Sequence, residues 1–137
     1  MGRILAIDYG ARRTGIAVSD PLRIIAGGLE TVPTHTLMQW LRSYMATNEV
    51  DTIVVGKPVR MDGSPSESMA LVEPFFRALL REFPAAKVVW HDERFTSVMA
   101  QRAIREAGVP KMKRRDKALV DKVSATIILQ SYMESSQ

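Results

Sequence analysis

Short runs in which every position is apolar mark the first two strands of this chain. Residues 4–7 form one such run, which Asp8 closes, and residues 16–18 form another after Gly15. Runs of this length without polar alternation are typical of strands that are covered on both faces. Residues 3–18 therefore predict a β-hairpin that carries a single acid, Asp8, at the end of its first strand.

Three further strands are predicted at residues 29–32, 52–55 and 87–90. A helix is predicted between the first two of them, because apolar residues recur at i, i+3, i+4, i+7 and i+8 after Thr34, a candidate N-cap. These apolar positions are Leu37, Trp40, Leu41, Tyr44 and Met45. Strands and helices therefore alternate along the chain, which is typical of a mixed α/β fold.

A second helix is predicted to begin at a capping box at residues 64–67, with Pro65 in the first helical position. Pro74 lies inside this helix and predicts a kink or a break before the helix ends near Phe83.

The third helix should start at Thr96 or Ser97 and stop at Gly108 and Pro110. A basic loop then leads into a last helix that ends near Met133. Residues 1–137 contain no repeat or linker, so a single domain is expected.

Composition restricts the classes of function that remain. The chain has no cysteine, which excludes disulfides, thiolate zinc sites and cysteine nucleophiles. No apolar run approaches the roughly 20 residues of a membrane span, and the four apolar residues between Arg3 and Asp8 are too few for a signal peptide. We therefore expect a cytoplasmic protein with no membrane partner. A net charge of +4 permits a polyanionic partner without requiring one.

Asp8 is the first candidate for chemistry. An isolated charge in an apolar stretch must be solvated, hydrogen-bonded or bound to a metal, because leaving it buried and unpaired is too costly. The alternative is an aspartate that caps the turn by bonding its own backbone. The hairpin alone leaves both interpretations open.

The dipeptide Asp92-Glu93 supplies a second candidate. Side chains alternate along a strand, so His91 and Glu93 share one face while Trp90 and Asp92 share the other. Only one of the two acids can therefore face a given site. Alternatively, both are loop acids that pair with Arg94 and with solvent.

Asp121 is the third candidate, because it lies on the core-facing stripe of the last helix. The positions i+3, i+4, i+7, i+8 and i+11 from it are Ser124, Ala125, Ile128, Leu129 and Tyr132. A favourable interaction with the helix dipole is the simpler explanation. A solvent-facing position would give that benefit without burying the charge, so the pattern favours a functional acid.

Three acids at the ends of two strands and on the inner face of a helix would suit a divalent-metal site. Mg²⁺ prefers carboxylate and water oxygens and is often completed by substrate phosphates. Two such ions, roughly 3.5 to 4 Å apart, can activate a water and stabilise the leaving oxygen of a phosphodiester.

Four stretches resemble, in order and spacing, the YqgF or RuvX family of RNase H-like nucleases: AIDYGARRTGIAVSD, VVGKPVRMDGSPS, HDERFTS and KALVDKVSATIILQSYM. The resemblance covers nearly the whole chain. It implies an α/β, RNase H-like fold, a mixed five-stranded sheet with helices on both sides. It also implies a catalytic and metal-binding carboxylate set of Asp8, Glu93 and Asp121 that uses Mg²⁺ or Mn²⁺. Members of the family are described as nucleases that process pre-16S rRNA and as Holliday-junction resolvases, which implies a role in ribosome biogenesis or in DNA recombination. The chain departs from the family at Lys57, where an apolar residue is usual, and at Arg60, where Asn is common.

Basic residues are grouped near the acids along the sequence. The candidates for binding structured RNA or branched DNA are Arg12, Arg13, Lys57, Arg60, Lys111, Lys113, Arg114, Arg115 and Lys117. Such residues contact phosphates and give affinity and position but little sequence information. The alternative is a solvated basic loop that serves only solubility.

Two other functions remain open at this point. Asp8, Gly10 and Gly15 also fit the phosphate-binding hairpin of actin-like ATPases, although those enzymes need two such domains. A non-catalytic RNA- or DNA-binding protein is the other alternative, but acids that face phosphates would weaken its binding. Junction resolution would need a homodimer, and no stretch of the sequence announces an interface. His91 is expected to hydrogen-bond locally and has no assigned role.

Overall fold

A mixed five-stranded sheet forms the centre of the molecule. In the computed structural model, which describes residues 2–60, 62–94, 96–107 and 117–135, the strands lie in the order β3-β2-β1-β4-β5. They are β1 (Arg3–Asp8), β2 (Arg13–Ser19), β3 (Ala26–Pro33), β4 (Val50–Lys57) and β5 (Lys87–Asp92). β1, β2 and β3 are antiparallel neighbours, whereas β4 and β5 continue the sheet parallel to β1. The predicted hairpin and the three later strands are confirmed, and β3, β4 and β5 are longer than predicted.

Helices cover both faces of this sheet. They are α1 (Leu37–Thr47), preceded by a 3₁₀ turn at Thr34–Thr36, α2 (Met69–Glu82), α3 (Thr96–Glu106) and α4 (Lys117–Ser135). α1 and α2 pack on one face, α4 packs on the other, and α3 lies against α4. The RNase H-like arrangement that the resemblance implied is therefore confirmed.

The alternation of side chains divides the core into two layers. Leu5 and Ile7 of β1 pack in the layer of α1 and α2, while Ile4 and Ala6 pack beneath α4. β5 is divided in the same way, since Trp90 packs in the first layer and Val89 in the second. The predicted faces of β5 are thus confirmed.

Two predicted helix starts are wrong. The capping box at residues 64–67 does not form, because the Ser64 hydroxyl donates to Asp62 Oδ1 (2.6 Å) and Pro65 pairs with Val59 in an isolated bridge. α2 begins only at Met69. The first helix likewise lacks its predicted cap, because the Thr34 hydroxyl donates to the backbone carbonyl of Gly10 instead (2.6 Å).

Pro74 lies inside α2, which continues through it to Glu82 without a break. The predicted stop at Gly108 and Pro110 falls outside the described residues. Within the part of the chain that the structure describes, no helix has the length and apolarity that a membrane crossing requires.

Topology brings the candidate acids to one edge of the sheet. β1, β4 and β5 are parallel, so their carboxyl ends meet at the same edge. Asp8 ends β1 and Glu93 directly follows β5. α4 crosses the same edge over β2, the antiparallel neighbour of β1.

Candidate active site

Asp8 and Glu93 form a carboxyl pair at the edge of the sheet. Both side chains lie on the α4 face, by the alternation that places Ala6 and Val89 there, and they share a side-chain hydrogen bond. The Glu93 amide donates to the carbonyl of Lys57 (3.2 Å), which fixes the chain just beyond β5 beside the end of β4. The structure therefore joins two of the three predicted acids directly.

Burial sets the protonation of this pair. It raises the pKa of Asp8 to about 6; the hydrogen bond from Glu93 opposes this rise and the charge of Asp121 adds to it. Burial also raises the pKa of Glu93 to about 9, helped by the charge of Asp8 and by the bond between them. At neutral pH, the Glu93 carboxyl is consequently protonated, and its hydroxyl donates a hydrogen bond to the Asp8 carboxylate.

Gly56 makes the space that Glu93 occupies. A Cβ at Gly56 would lie 2.5 Å from Glu93 Oε2 and 2.8 Å from Ile128 Cδ1. Gly56 lies on the same face of the sheet as the acids, and it pairs with His91 of β5. The absence of a side chain there lets the Glu93 carboxyl reach across β4 to Asp8.

Gly15 makes the space that the backbone of α4 occupies. It is the cross-strand partner of Asp8, and a Cβ at Gly15 would lie 2.0 Å from the backbone carbonyl oxygen of Asp121. The backbone of the helix therefore rests directly on β2. This contact places Asp121 over the end of β1, close enough for its charge to raise the pKa of Asp8.

Asp121 itself is paired with a cation. Arg13 Nε donates to Asp121 Oδ2 at 3.0 Å, and the two side chains are 40% and 23% exposed. Arg13 was predicted to bind nucleic acid, and the structure places it between the turn of the hairpin and α4. This ion pair was not predicted from the sequence, since Arg13 and Asp121 are 108 residues apart.

Threonine hydroxyls anchor the turn that joins β1 and β2. Thr34 donates to the carbonyl of Gly10 and shares a hydrogen bond of 2.9 Å with Thr14, while the Thr34 amide donates to the carbonyl of Arg12 (2.9 Å). The sequence gave no direct signal for this role, because a threonine before a helix is equally suited to capping. The turn beside Asp8 is thereby held from the end of β3.

An open cleft of about 370 Å³ lies between this turn and the start of α4. Its lining is Gly10, Ala11, Arg12, Arg13, Lys117 and Asp121. Three of the predicted nucleic-acid contacts therefore meet at one cleft, next to one of the acids.

The remaining basic candidates are spread more widely. Lys57 follows Gly56 in β4, so its side chain belongs to the face of the sheet opposite the acids. Arg60 is exposed in the loop after β4. Lys111, Lys113, Arg114 and Arg115 lie outside the described residues.

Asp92 is separated from the site, as the alternation predicted. Its two carboxylate oxygens accept from the backbone amide and the guanidinium of Arg94, each at 2.8 Å. Burial opposes a lower pKa at Asp92, but these bonds and the charge of Arg94 outweigh it. His91, which received no role from the sequence, shares a hydrogen bond of 2.8 Å with Ser131 of α4.

The donor chemistry of the site fits a hard divalent cation. Asp8, Glu93 and Asp121 offer only oxygen ligands, and the raised pKa values of the first two show a place where positive charge would be favourable. Among the described residues, no group of three or more acidic, histidine or cysteine side chains is already arranged around a common point. Two acids are in contact, and the third is turned towards Arg13.

Comparison with known proteins agrees with the fold. A Fowlpox virus resolvase, solved in complex with substrate Holliday junction DNA, superposes with a TM-score of 0.56 at 16% identity and covers 98% of each chain. This likeness concerns the fold.

Sequence relatives are much more similar. A protein of Porphyromonas gingivalis is 61% identical over 135 residues, covering 98% of each chain, and one of Bacteroides thetaiotaomicron is 54% identical over 137 residues, covering 100% of this chain and 99% of its own. Both carry names that assign them to pre-16S rRNA nucleases. The RuvX family model, described as Holliday junction resolvase, matches residues 2–135. The chain belongs to the RuvX family.

Proposed function

We propose that this chain is an endonuclease that hydrolyses phosphodiester bonds in nucleic acid with a divalent metal ion held by Asp8, Glu93 and Asp121. The observation that carries the proposal is the half-buried pair of Asp8 and Glu93. Two acids in contact, both with raised pKa values, are costly to keep unless a cation offsets their charge. The nuclease names of the relatives and the family description support the same chemistry.

Each acid is supported by a different part of the fold. The edge of the sheet holds Asp8, the gap at Gly56 admits Glu93, and the contact at Gly15 brings α4 and Asp121 over the same edge. When bound, Mg²⁺ or Mn²⁺ would supply activation of the attacking water and neutralisation of charge at the phosphate. Because the ion needs ionised carboxylates, Glu93 must lose its proton for the site to fill.

The basic side chains would hold the nucleic-acid backbone. Arg12 and Lys117 line the cleft beside Asp121, and both are exposed. Arg60 and the basic residues among 111–115 would extend the contact along the strand, whereas Lys57 lies on the opposite face of the sheet and is left out of this proposal. Such contacts fix the position of a backbone and read shape rather than sequence.

Two substrates are compatible with this site. The names of the relatives favour precursor 16S rRNA, for which the place of action would be the cytoplasm. The family description favours a four-way DNA junction, which would require a homodimer that presents two sites. The acid pair serves either substrate, because the scissile bond is a phosphodiester in both.

The deciding experiment offers the protein a four-way DNA junction and a precursor rRNA fragment and maps the cuts. We expect cleavage with Mg²⁺ or Mn²⁺, and binding without appreciable cutting with Ca²⁺, whose looser coordination misplaces the attacking water. Asp8→Asn is the matched negative control. Full cleavage in excess EDTA, or equal cleavage by Asp8→Asn, would refute the proposal, and binding of either substrate without any cutting would favour a non-catalytic binder.

A further inference from the structure

Asp121, one of the three acids of the proposed metal site, is held by a side chain of the same chain. The ion pair joins Arg13 Nε to Asp121 Oδ2 at 3.0 Å and lies in the wall of the open cleft. Both side chains keep contact with solvent, so neither is locked in place by packing. The pair therefore has room to open.

Backbone contacts restrict how it can open. The carbonyl of Asp121 is packed against β2 at Gly15, where there is no space for a single additional carbon. Arg13 begins β2 and is aligned with Pro33 of β3. Since both backbones are fixed, opening must occur by rotation of the side chains. A free Asp121 carboxylate would remain next to Asp8, and a free guanidinium would remain in the cleft.

We infer that Arg13 is a positioning residue that holds Asp121 until a divalent ion replaces it, and that the released guanidinium then contacts the phosphate of the substrate. The inference rests on the proposed function. It identifies Arg13 as a cation that competes with the metal for one carboxylate. It also explains how one arginine can serve both an acid of the site and a substrate phosphate, at different stages.

Competition and a structural role predict opposite changes in metal affinity when Arg13 is removed. If Arg13 only stabilised α4 or shaped the site, its loss would weaken metal binding. If it competes for Asp121, its loss tightens metal binding while it slows cleavage, since the phosphate contact is also lost. The two effects in opposite directions are the signature of the exchange.

The first test is calorimetric titration of Mn²⁺ alone into the full chain, without nucleic acid. Arg13→Gln should bind Mn²⁺ about two- to fivefold more tightly than the wild type, the range expected from losing one partly exposed ion pair. Arg12→Gln is the matched control, because it removes the same charge from the same cleft. Its affinity should change by less than about twofold, since the charge of the exposed Arg12 side chain is screened by solvent. Unchanged or weaker binding by Arg13→Gln would overturn the inference.

A second test uses nucleic-acid binding in EDTA, where no metal can replace Arg13. In the wild-type background, Arg13→Gln should barely change the slope of log K against log salt, because the Arg13 guanidinium is already paired with Asp121 and does not contact phosphate. In an Asp121→Asn background, the same substitution should reduce the slope by about 0.7 to 0.9, the value of one phosphate contact. An equal slope change in the two backgrounds would contradict the exchange.

Arg13→Lys provides a variant that keeps the charge. A lysine lacks the planar fork of arginine and holds a carboxylate less firmly, so its Mn²⁺ affinity should lie between those of the wild type and Arg13→Gln. An affinity equal to that of Arg13→Gln, or below the wild-type value, would count against the inference. Cleavage by the wild type but not by Glu93→Gln would show that the proposed function stands even where these tests fail.

Discussion

The two edges of the sheet treat a strand-end aspartate in opposite ways. Asp51, near the start of β4, receives hydrogen bonds from the amide of Gly2 (3.1 Å) and the hydroxyl of Thr52 (2.9 Å) and an ion pair from Arg23. Burial tends to raise the pKa of Asp51, but these partners outweigh it and lower the pKa. Asp8, at the end of β1, has an acid as its side-chain partner, and its pKa rises to about 6.

The difference separates an acid whose charge the fold neutralises, Asp51, from an acid whose charge it leaves without a positively charged partner among the described residues, Asp8. At the edge of Asp51, backbone, hydroxyl and guanidinium donors satisfy the carboxylate. At the edge of Asp8, the structure instead gathers a second carboxyl from Glu93 and the charge of Asp121. An arrangement that raises the energy of its own ionised form is typical of a functional site.

The largest loss of cleavage is expected when an acid of the Asp8 edge is exchanged for its amide. Asp8→Asn and Glu93→Gln should reduce cleavage by at least about 10³-fold, because acids that act as a unit fail together. Their stability should not fall and can rise, since folding no longer has to raise the pKa of the substituted acid. Cleavage assays and denaturant melts on the same preparations measure both effects.

Asp51→Asn is the control for that pair. It should keep cleavage and lose about 1 kcal/mol of stability, because it weakens hydrogen bonds that are satisfied in the native state. An Asp8→Asn protein that is destabilised but still active would mean that Asp8 is a structural cap like Asp51. Asp121→Asn combined with either active-site variant should cost little more than one substitution alone.

A methyl group at Gly56 should disturb the active edge with no change of charge. In Gly56→Ala, the added carbon would lie 2.5 Å from Glu93 Oε2, so Glu93 must move. We expect a loss of about 1 to 3 kcal/mol of stability, as for other overpacked sites, together with a marked loss of cleavage. Gly27→Ala in β3, where the added carbon meets nothing within 4 Å, should change stability by no more than about 0.5 kcal/mol. Equal behaviour of the two variants would show that the space at Gly56 does not position Glu93.

The two edges should also respond to pH with opposite signs. The pKa of Asp8 rises from 3.8 to about 6 and that of Glu93 from 4.5 to about 9 on folding, so the native state binds more protons than the unfolded state between these values. Stability of the metal-free protein should therefore fall as pH rises from about 4 to about 9. Each acid contributes a slope of up to about 1.4 kcal/mol per pH unit, so the two slopes add below about pH 6 and Glu93 alone contributes above it. Glu93→Gln should flatten the slope above pH 6. Asp51, whose pKa is lowered, contributes stability that is lost as pH falls below about 4. A Glu93→Gln profile that matches the wild type would contradict this account of the pair.

The smallest effect is expected at the ion pair of the structural edge. Arg23→Gln removes the guanidinium from Asp51 and should cost about 0.2 to 1 kcal/mol, the range of partly exposed ion pairs. Cleavage and Mn²⁺ affinity should stay at the wild-type level. A large loss of cleavage would show that the two edges are coupled, so activity measured beside a thermal melt settles the matter.

The fold was largely predictable because its signals are local. Apolar runs located β1, β2, β4 and β5, and the stripe from Asp121 to Tyr132 located the inner face of α4. The failures came where local rules met competing partners. Thr34 was expected to cap a helix, but its hydroxyl bonds Gly10 across the hairpin.

The sequence predicted which acids lie at this edge of the sheet, but it did not predict the contacts that hold them there. The alternation of β5 separated Glu93 from Asp92 correctly. Nothing in the sequence indicates that Arg13 pairs with Asp121 or that Gly56 makes room for Glu93. The first contact depends on how β2 and α4 assemble, and the second on how β4 and β5 assemble. Pairings between distant segments are decided by the tertiary fold rather than by spacing along the chain.

Mn²⁺ binding with its proton release tests the central claim most directly. Calorimetric titrations at pH 7 in two buffers of different ionisation enthalpy give affinity and protons released together. The wild type should release a proton on binding Mn²⁺, because Glu93 is protonated in the free protein. Asp8→Asn should lose binding, while Asp51→Asn should bind and release the proton like the wild type. Wild-type affinity in Asp8→Asn, or binding of Mn²⁺ with no proton released, would contradict the assignment of this edge as the metal site.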